Sequence, residues 1–160
     1  MWDGRDWLDD LEARRNDAHD EQAEEAQRAA LIRENVSSLW KTFHNHLTAE
    51  SERYNARFPA SRIAIKPHGE PAQFMANTTG GKYPSVSLKV TCCEPDGRNF
   101  TYIYRITKNY DVPEREEQGR FIVDCRGDSV FLKTPEGIPL HPKEAATWLL
   151  ERVVDPSMIA

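Results

Sequence analysis

Between Leu31 and Phe58 the apolar residues fall at Ile32, Val36, Leu39, Trp40, Phe43, Leu47, Tyr54 and Phe58. Steps of three and four residues place them on one helical face. Pro59 follows, and the residue before a proline is pushed out of the α region, so the pattern predicts a core-facing helix that ends there. Upstream, Trp7–Ala30 is rich in helix formers and free of proline, but after Leu11 its apolar content is alanine alone. One helix from Trp7 to Phe58 would run about 78 Å at 1.5 Å per residue. The compact remainder has an expected radius of gyration of only about 13 Å. Residues 1–30 therefore read as an acidic helical arm that pairs with another chain, with a hairpin folded back on itself or a partly disordered extension as the alternatives. Trp2, Trp7, Leu8 and Leu11 cluster at its start with nothing local to pack on, which makes them the candidate self-association surface.

From Arg62 to Lys133 the period changes to two. Ile63 and Ile65 share one face of a strand, and Val86, Leu88, Val90 and Cys92 alternate with Ser85, Ser87, Lys89 and Thr91. The stretch Glu94–Arg98 fits a three-residue turn with Gly97 in the left-handed position. That turn pairs Cys92 with Phe100, Val90 with Tyr102, Leu88 with Tyr104 and Val86 with Ile106, so apolar meets apolar at each step. A slip of one residue would undo the match. Gly127-Asp128 reads as a two-residue turn that pairs Arg126 with Ser129, Cys125 with Val130 and Val123 with Leu132. The Arg126-Gly127-Asp128 triplet, a known adhesion signal in exported proteins, is thus accounted for by hairpin geometry.

After a Pro135-Glu136-Gly137 turn, Pro142 suits a first helical position. Ala146, Leu149, Leu150 and Val153 form the next apolar stripe, and Asp155-Pro156 marks its end. The expected fold class is α+β: a long N-terminal helix, an antiparallel meander of five to six strands, and a short C-terminal helix on the same sheet face. Residues 31–156 form the single domain and 157–160 a tail. Trp40, Phe43, Tyr102, Tyr104, Phe121 and Trp148 are the expected core.

Charge sharpens the division between arm and body. Residues 1–30 hold ten carboxylates against four arginines, a net of −6, whereas the other 130 residues carry sixteen acids and seventeen bases within an overall charge of −5. The mean hydropathy of −0.71 reflects the same solvated segment. Nucleic acid and anionic membranes are poor partners for an acidic arm. No apolar run approaches the roughly 20 residues of a membrane span, and the first residues lack a signal-peptide core, so a cytoplasmic location is expected. Adjacent Cys92 and Cys93 point to opposite strand faces, three cysteines cannot all pair within one chain, and reduced thiols are expected.

The registers define an outer sheet face with Ser87 beside Arg105, Thr91 beside Thr101 and Lys89 beside Ile103, followed by Arg120, Ile122 and Asp124. Lys89, Arg105, Arg120 and Asp124 are the candidate ligand or partner residues, since bases among hydroxyls can receive an anion or an acidic segment. An ordinary solvated sheet face is the competing reading. His46 and Glu50 lie one helical turn apart, but His44 points elsewhere, and two ligands do not make a catalytic zinc site. The glycines of residues 78–85 are not followed by the Ser or Thr and helix that a phosphate loop needs. No cysteine has an identifiable activating histidine. Residues 108–119 read as a long acidic loop, a second candidate binding edge.

No catalytic, metal or cofactor site emerges. The expected function is a non-enzymatic protein-interaction module of adaptor or chaperone type, whose partner is itself through the arm. The alternative is a sensor of small anionic ligands on the outer face.

Overall fold

A computed structural model describes residues 6–66, 72–79, 84–92, 98–108 and 114–159. Its elements run α1 (Trp7–Arg57), β1 (Arg62–Ile65), β2 (Gln73–Thr79), β3 (Ser85–Cys92), β4 (Asn99–Thr107), β5 (Arg115–Arg126), β6 (Ser129–Lys133), β7 (Pro139–Leu140) and α2 (Pro142–Val154), with a 3-10 turn at Pro156–Met158. The strands form one antiparallel sheet in sequence order, a meander of seven, slightly more than the five to six expected. The fold is α+β, as the order of periodicities predicts.

The 51 residues of α1 make a rod about 76 Å long. It is capped at its start, where the Leu8 N–H donates to Asp6 Oδ1 at 3.0 Å, and Asp9 and Asp10 sit in the first turn against the helix dipole. Its buried residues are Ile32, Val36, Trp40, Phe43, Leu47 and Ser51, all in the second half. Ser51 is tolerated there because its hydroxyl donates to the Leu47 carbonyl at 2.7 Å. The helix ends at Arg57 with the Phe58 N–H donating to the Tyr54 carbonyl. Phe58, assigned by periodicity to the stripe, is exposed and stacks on Tyr54, because the chain has already left the helix there.

The core is an aromatic cluster between α1 and the inner sheet face. Phe43 is fully enclosed, with Phe100 at 5.4 Å and Phe121 at 6.2 Å between ring centroids, and Trp40 meets Phe100 edge-on at 5.1 Å. Ala145, Ala146, Leu149, Leu150 and Val153 of α2 complete it. A capping box starts α2: the Lys143 N–H donates to His141 Nδ1, and the His141 N–H donates to Glu144 Oε1. The Tyr104 hydroxyl donates to the Leu149 carbonyl at 2.8 Å and ties α2 to β4.

Both hairpin registers match the expected pairs. Cys92 faces Phe100, Val90 faces Tyr102, Leu88 faces Tyr104 and Val86 faces Ile106. Arg126 pairs with Ser129, Cys125 with Val130 and Val123 with Leu132, with Gly127 at φ +60° in the turn that holds the Arg-Gly-Asp triplet.

Three further expectations are corrected. Arg115–Gly119, read as loop, is the first part of β5 and pairs with β4 from Ile106↔Arg115 to Tyr102↔Gly119. Glu, Gln and Gly have poor strand propensity, and pairing along β4 overrides it. Tyr102 and Trp148 are half-buried and lie against the core, Tyr102 with its ring over Gly119 and Trp148 at 5.6 Å from that ring. Cys92 is disulfide-bonded while Cys125 is free, so the thiols are not all reduced. Gln73–Thr79, to which the sequence pattern assigns no element, is a further strand with Phe74 and Ala76 buried.

Candidate functional site

Two surfaces carry the candidate residues. The first is the arm. Trp7 is 70% and Leu8 52% exposed, and Leu11 is half-buried. Trp2 lies outside the described residues. Every side chain from Glu12 to Arg28 is exposed. Contact with the body begins only near the end of this stretch, where Arg98 pairs with Glu25 in a 2.5 Å contact. There Glu24, Gln27, Arg28 and Leu31 line one wall of a cleft of about 810 Å³, and Asp124–Asp128 with Phe131 line the other. This cleft is polar and carries both signs of charge, Arg28 and Arg126 against Glu24, Asp124 and Asp128.

The second surface is the outer sheet face. Ser87 stands beside Arg105, Lys89 beside Ile103 and Thr91 beside Thr101. On β5 the neighbours are Glu116 for Arg105, Gln118 for Ile103 and Arg120 for Thr101. The sheet therefore brings Lys89, Arg105 and Arg120 to one face but on three different strands. Arg105 donates through Nε to Glu116 Oε1 at 3.0 Å, so its charge is already met. Lys89 and Arg120 form no hydrogen bond or ion pair among the described residues, and two strand spacings, about 9.6 Å, separate their strands. Sequence reasoning missed the Arg105–Glu116 pair because Glu116 was assigned to a loop; a trial extension of the β4 register by a few residues would have found it.

Asp124 accepts from Lys133 Nζ at 2.7 Å and from the Cys125 N–H at 2.8 Å. Burial alone would raise its carboxyl, but the Lys133 and Cys125 hydrogen bonds and the charges of Lys133 and Arg28 outweigh that and hold it below its ordinary value. Asp124 is thus a local structural ion pair, not a free carboxylate on the face.

The histidines occupy separate places. His44 packs edge-on against Phe74 at 5.4 Å and Trp40 at 5.9 Å, and burial lowers its pKa. His46 lies 5.8 Å from the ring of His141. Among the described residues no three His, Cys, Asp or Glu side chains converge on a point that would hold a metal ion. Also among them, no helix is long and apolar enough to cross a membrane. Tyr110, Asp111 and Val112 of the expected acidic loop lie outside the described residues.

No protein-family model, curated protein or solved structure matches this chain.

Proposed function

We propose that this chain is a non-enzymatic protein-interaction module of adaptor or chaperone type, self-associating through the first half of α1 and offering the outer sheet face to a partner. One observation carries the reading: a capped helix continues beyond its last buried residue, Ile32, and ends in exposed Trp7 and Leu8. Large apolar side chains on an otherwise acidic rod gain by meeting a second apolar surface, and the same residues on a second chain supply one. The rod's net negative charge argues against nucleic acid and anionic membrane as the partner.

The anionic-ligand reading has less behind it, because Arg105 is paired with Glu116 and the two remaining bases lie on strands two spacings apart.

Light scattering of the full chain beside a chain beginning at Leu31 tests the proposal. That truncation removes no member of the buried core. The full chain is expected to form a dimer or larger species that the shortened chain does not. Equal oligomeric states for the two would end the arm's role in association.

A further inference from the structure

Among the described residues the sheet has two end strands and one stretch of β5 with a neighbour on one side only. At one end, β1 is four residues long, and the side-chain amide of Asn55 takes up both backbone groups of Ile63, accepting its N–H at 2.7 Å and donating to its carbonyl at 2.9 Å. At the other, β7 is two residues long. Short or covered ends are how sheets avoid pairing with other chains. β5 is different. It pairs with β4 over Arg115–Ile122 but with β6 only over Ile122–Arg126. Among the described residues Arg115–Phe121 therefore has a strand on one side only.

The direction of its backbone groups follows from the hairpin. A two-residue turn makes Arg126 and Ser129 a mutually bonded pair, so even-numbered residues of β5 bond toward β6 and odd-numbered ones toward β4. The Val123 N–H donating to the Arg98 carbonyl at 2.7 Å agrees. Glu116, Gln118 and Arg120 consequently aim N–H and C=O at the open side, and no loop or turn among the described residues bonds to them.

We infer that this edge pairs antiparallel with the same edge of a second copy, about a two-fold axis at Gln118. Such an axis sets Gln118 opposite Gln118, Glu116 opposite Arg120 and Glu117 opposite Gly119. Opposite charges therefore face each other at both ends of the register on the outer face, where Arg120 would share Glu116 with Arg105 of the other copy. Opposite charges directly across a strand pair attract. A shift by two residues one way sets Arg120 opposite Gln118 and Glu116 opposite Ile122 and loses both matches; the other way sets Glu116 opposite Gln118 and leaves Arg120 only Glu114, which precedes the strand. On the inner side Gly119 carries no side chain, and the Tyr102 ring fills the space where its Cβ would stand. A groove of about 200 Å³ lined by Tyr102, Glu117, Gln118, Trp148, Arg152 and Met158 lies beside this edge, with Met158 exposed on its rim. Pairing would lay the second copy along that rim.

The inference stands independently of the arm. Its test is the full chain with Gln118→Cys under mild oxidation, with the unsubstituted chain as the control for its own cysteines. A bonded antiparallel pair holds its Cα atoms about 5.5 Å apart, within the span of a disulfide. The expected result is a covalent dimer absent from the control. Glu116→Arg or Arg120→Glu added to Gln118→Cys should lower its yield several-fold, and both together should restore it. No covalent dimer, or a yield indifferent to the single and double charge exchanges, overturns the pairing. Neither result bears on Trp7 and Leu8, whose role is read from the truncated chain.

Discussion

Trp7–Arg28 and Leu31–Arg57 belong to one unbroken helix, yet different forces hold them. The second half lays six buried side chains on the sheet and α2, and its stability is tertiary. The first half has an N-cap, alanines and an acidic first turn and, among the described residues, one ion pair from Glu25 to Arg98. It even opposes itself. Asp17 and Glu21, Glu21 and Glu25, and Asp20 and Glu24 are like charges one turn apart. A continuous helix is therefore no sign of uniform stability. It joins a segment whose fold is secured by burial to one whose order depends on local chemistry and on what it meets.

The largest effect expected from this contrast is in the core. Phe43→Ala should cost about 3–5 kcal/mol of unfolding free energy in urea, whereas Leu8→Ala should change the stability of the single chain by less than about 0.5 kcal/mol. Comparable losses would erase the distinction. Next comes backbone disruption. Lys41→Pro should cost about 3 kcal/mol or more. Ala18→Pro should lower far-ultraviolet helicity while leaving the body's unfolding midpoint and near-ultraviolet signal in place. A common midpoint shift would mean that arm and body unfold as one unit.

Gly119→Ala forces the Tyr102 ring off the strand it covers, and Phe121 and Trp148 stand at 5.4 and 5.6 Å from that ring. An overpacked margin of this kind should cost about 1–3 kcal/mol in thermal or urea unfolding. A smaller effect lies where the halves meet. Asp124 has its pKa depressed in the fold, so its contribution is present above the ordinary carboxylate range and is lost as pH falls through its lower folded value. Lys133→Ala should remove most of that acid dependence and Arg28→Ala a smaller part, read from unfolding curves across acidic pH. The smallest expected effect is in the arm alone. Glu21→Lys turns two repulsions into attractions, worth about 0.2–0.5 kcal/mol each, and should raise helicity without moving the body's midpoint.

Much of this architecture was legible from side-chain period and turn chemistry. The Cys92–Phe100 and Arg126–Ser129 registers followed from a turn length plus apolar matching, because one buried face makes a slip costly. The outer positions of Lys89 and Arg105 came with them. What escaped were strands without a clear alternation: Gln73–Thr79, where polar residues surround buried Phe74 and Ala76, and Arg115–Gly119, held by β4 and not by its own propensity. Missing the latter also hid the Arg105–Glu116 pair and the open edge of β5. The apolar stripe from Ile32 to Leu47 was readable as the helix's buried face. Whether Tyr102 and Trp148 lay in the core or at its rim depended on where α2 comes to rest, which no local pattern encodes.

Hydrogen exchange of the amides from Leu11 to Ala23, followed as protein concentration rises, tests the central claim most directly. If this half of α1 is held by a second chain, its protection should grow with concentration while that of Val36–Leu47 stays constant. Exchange in the arm that is equally fast at every concentration would contradict the account.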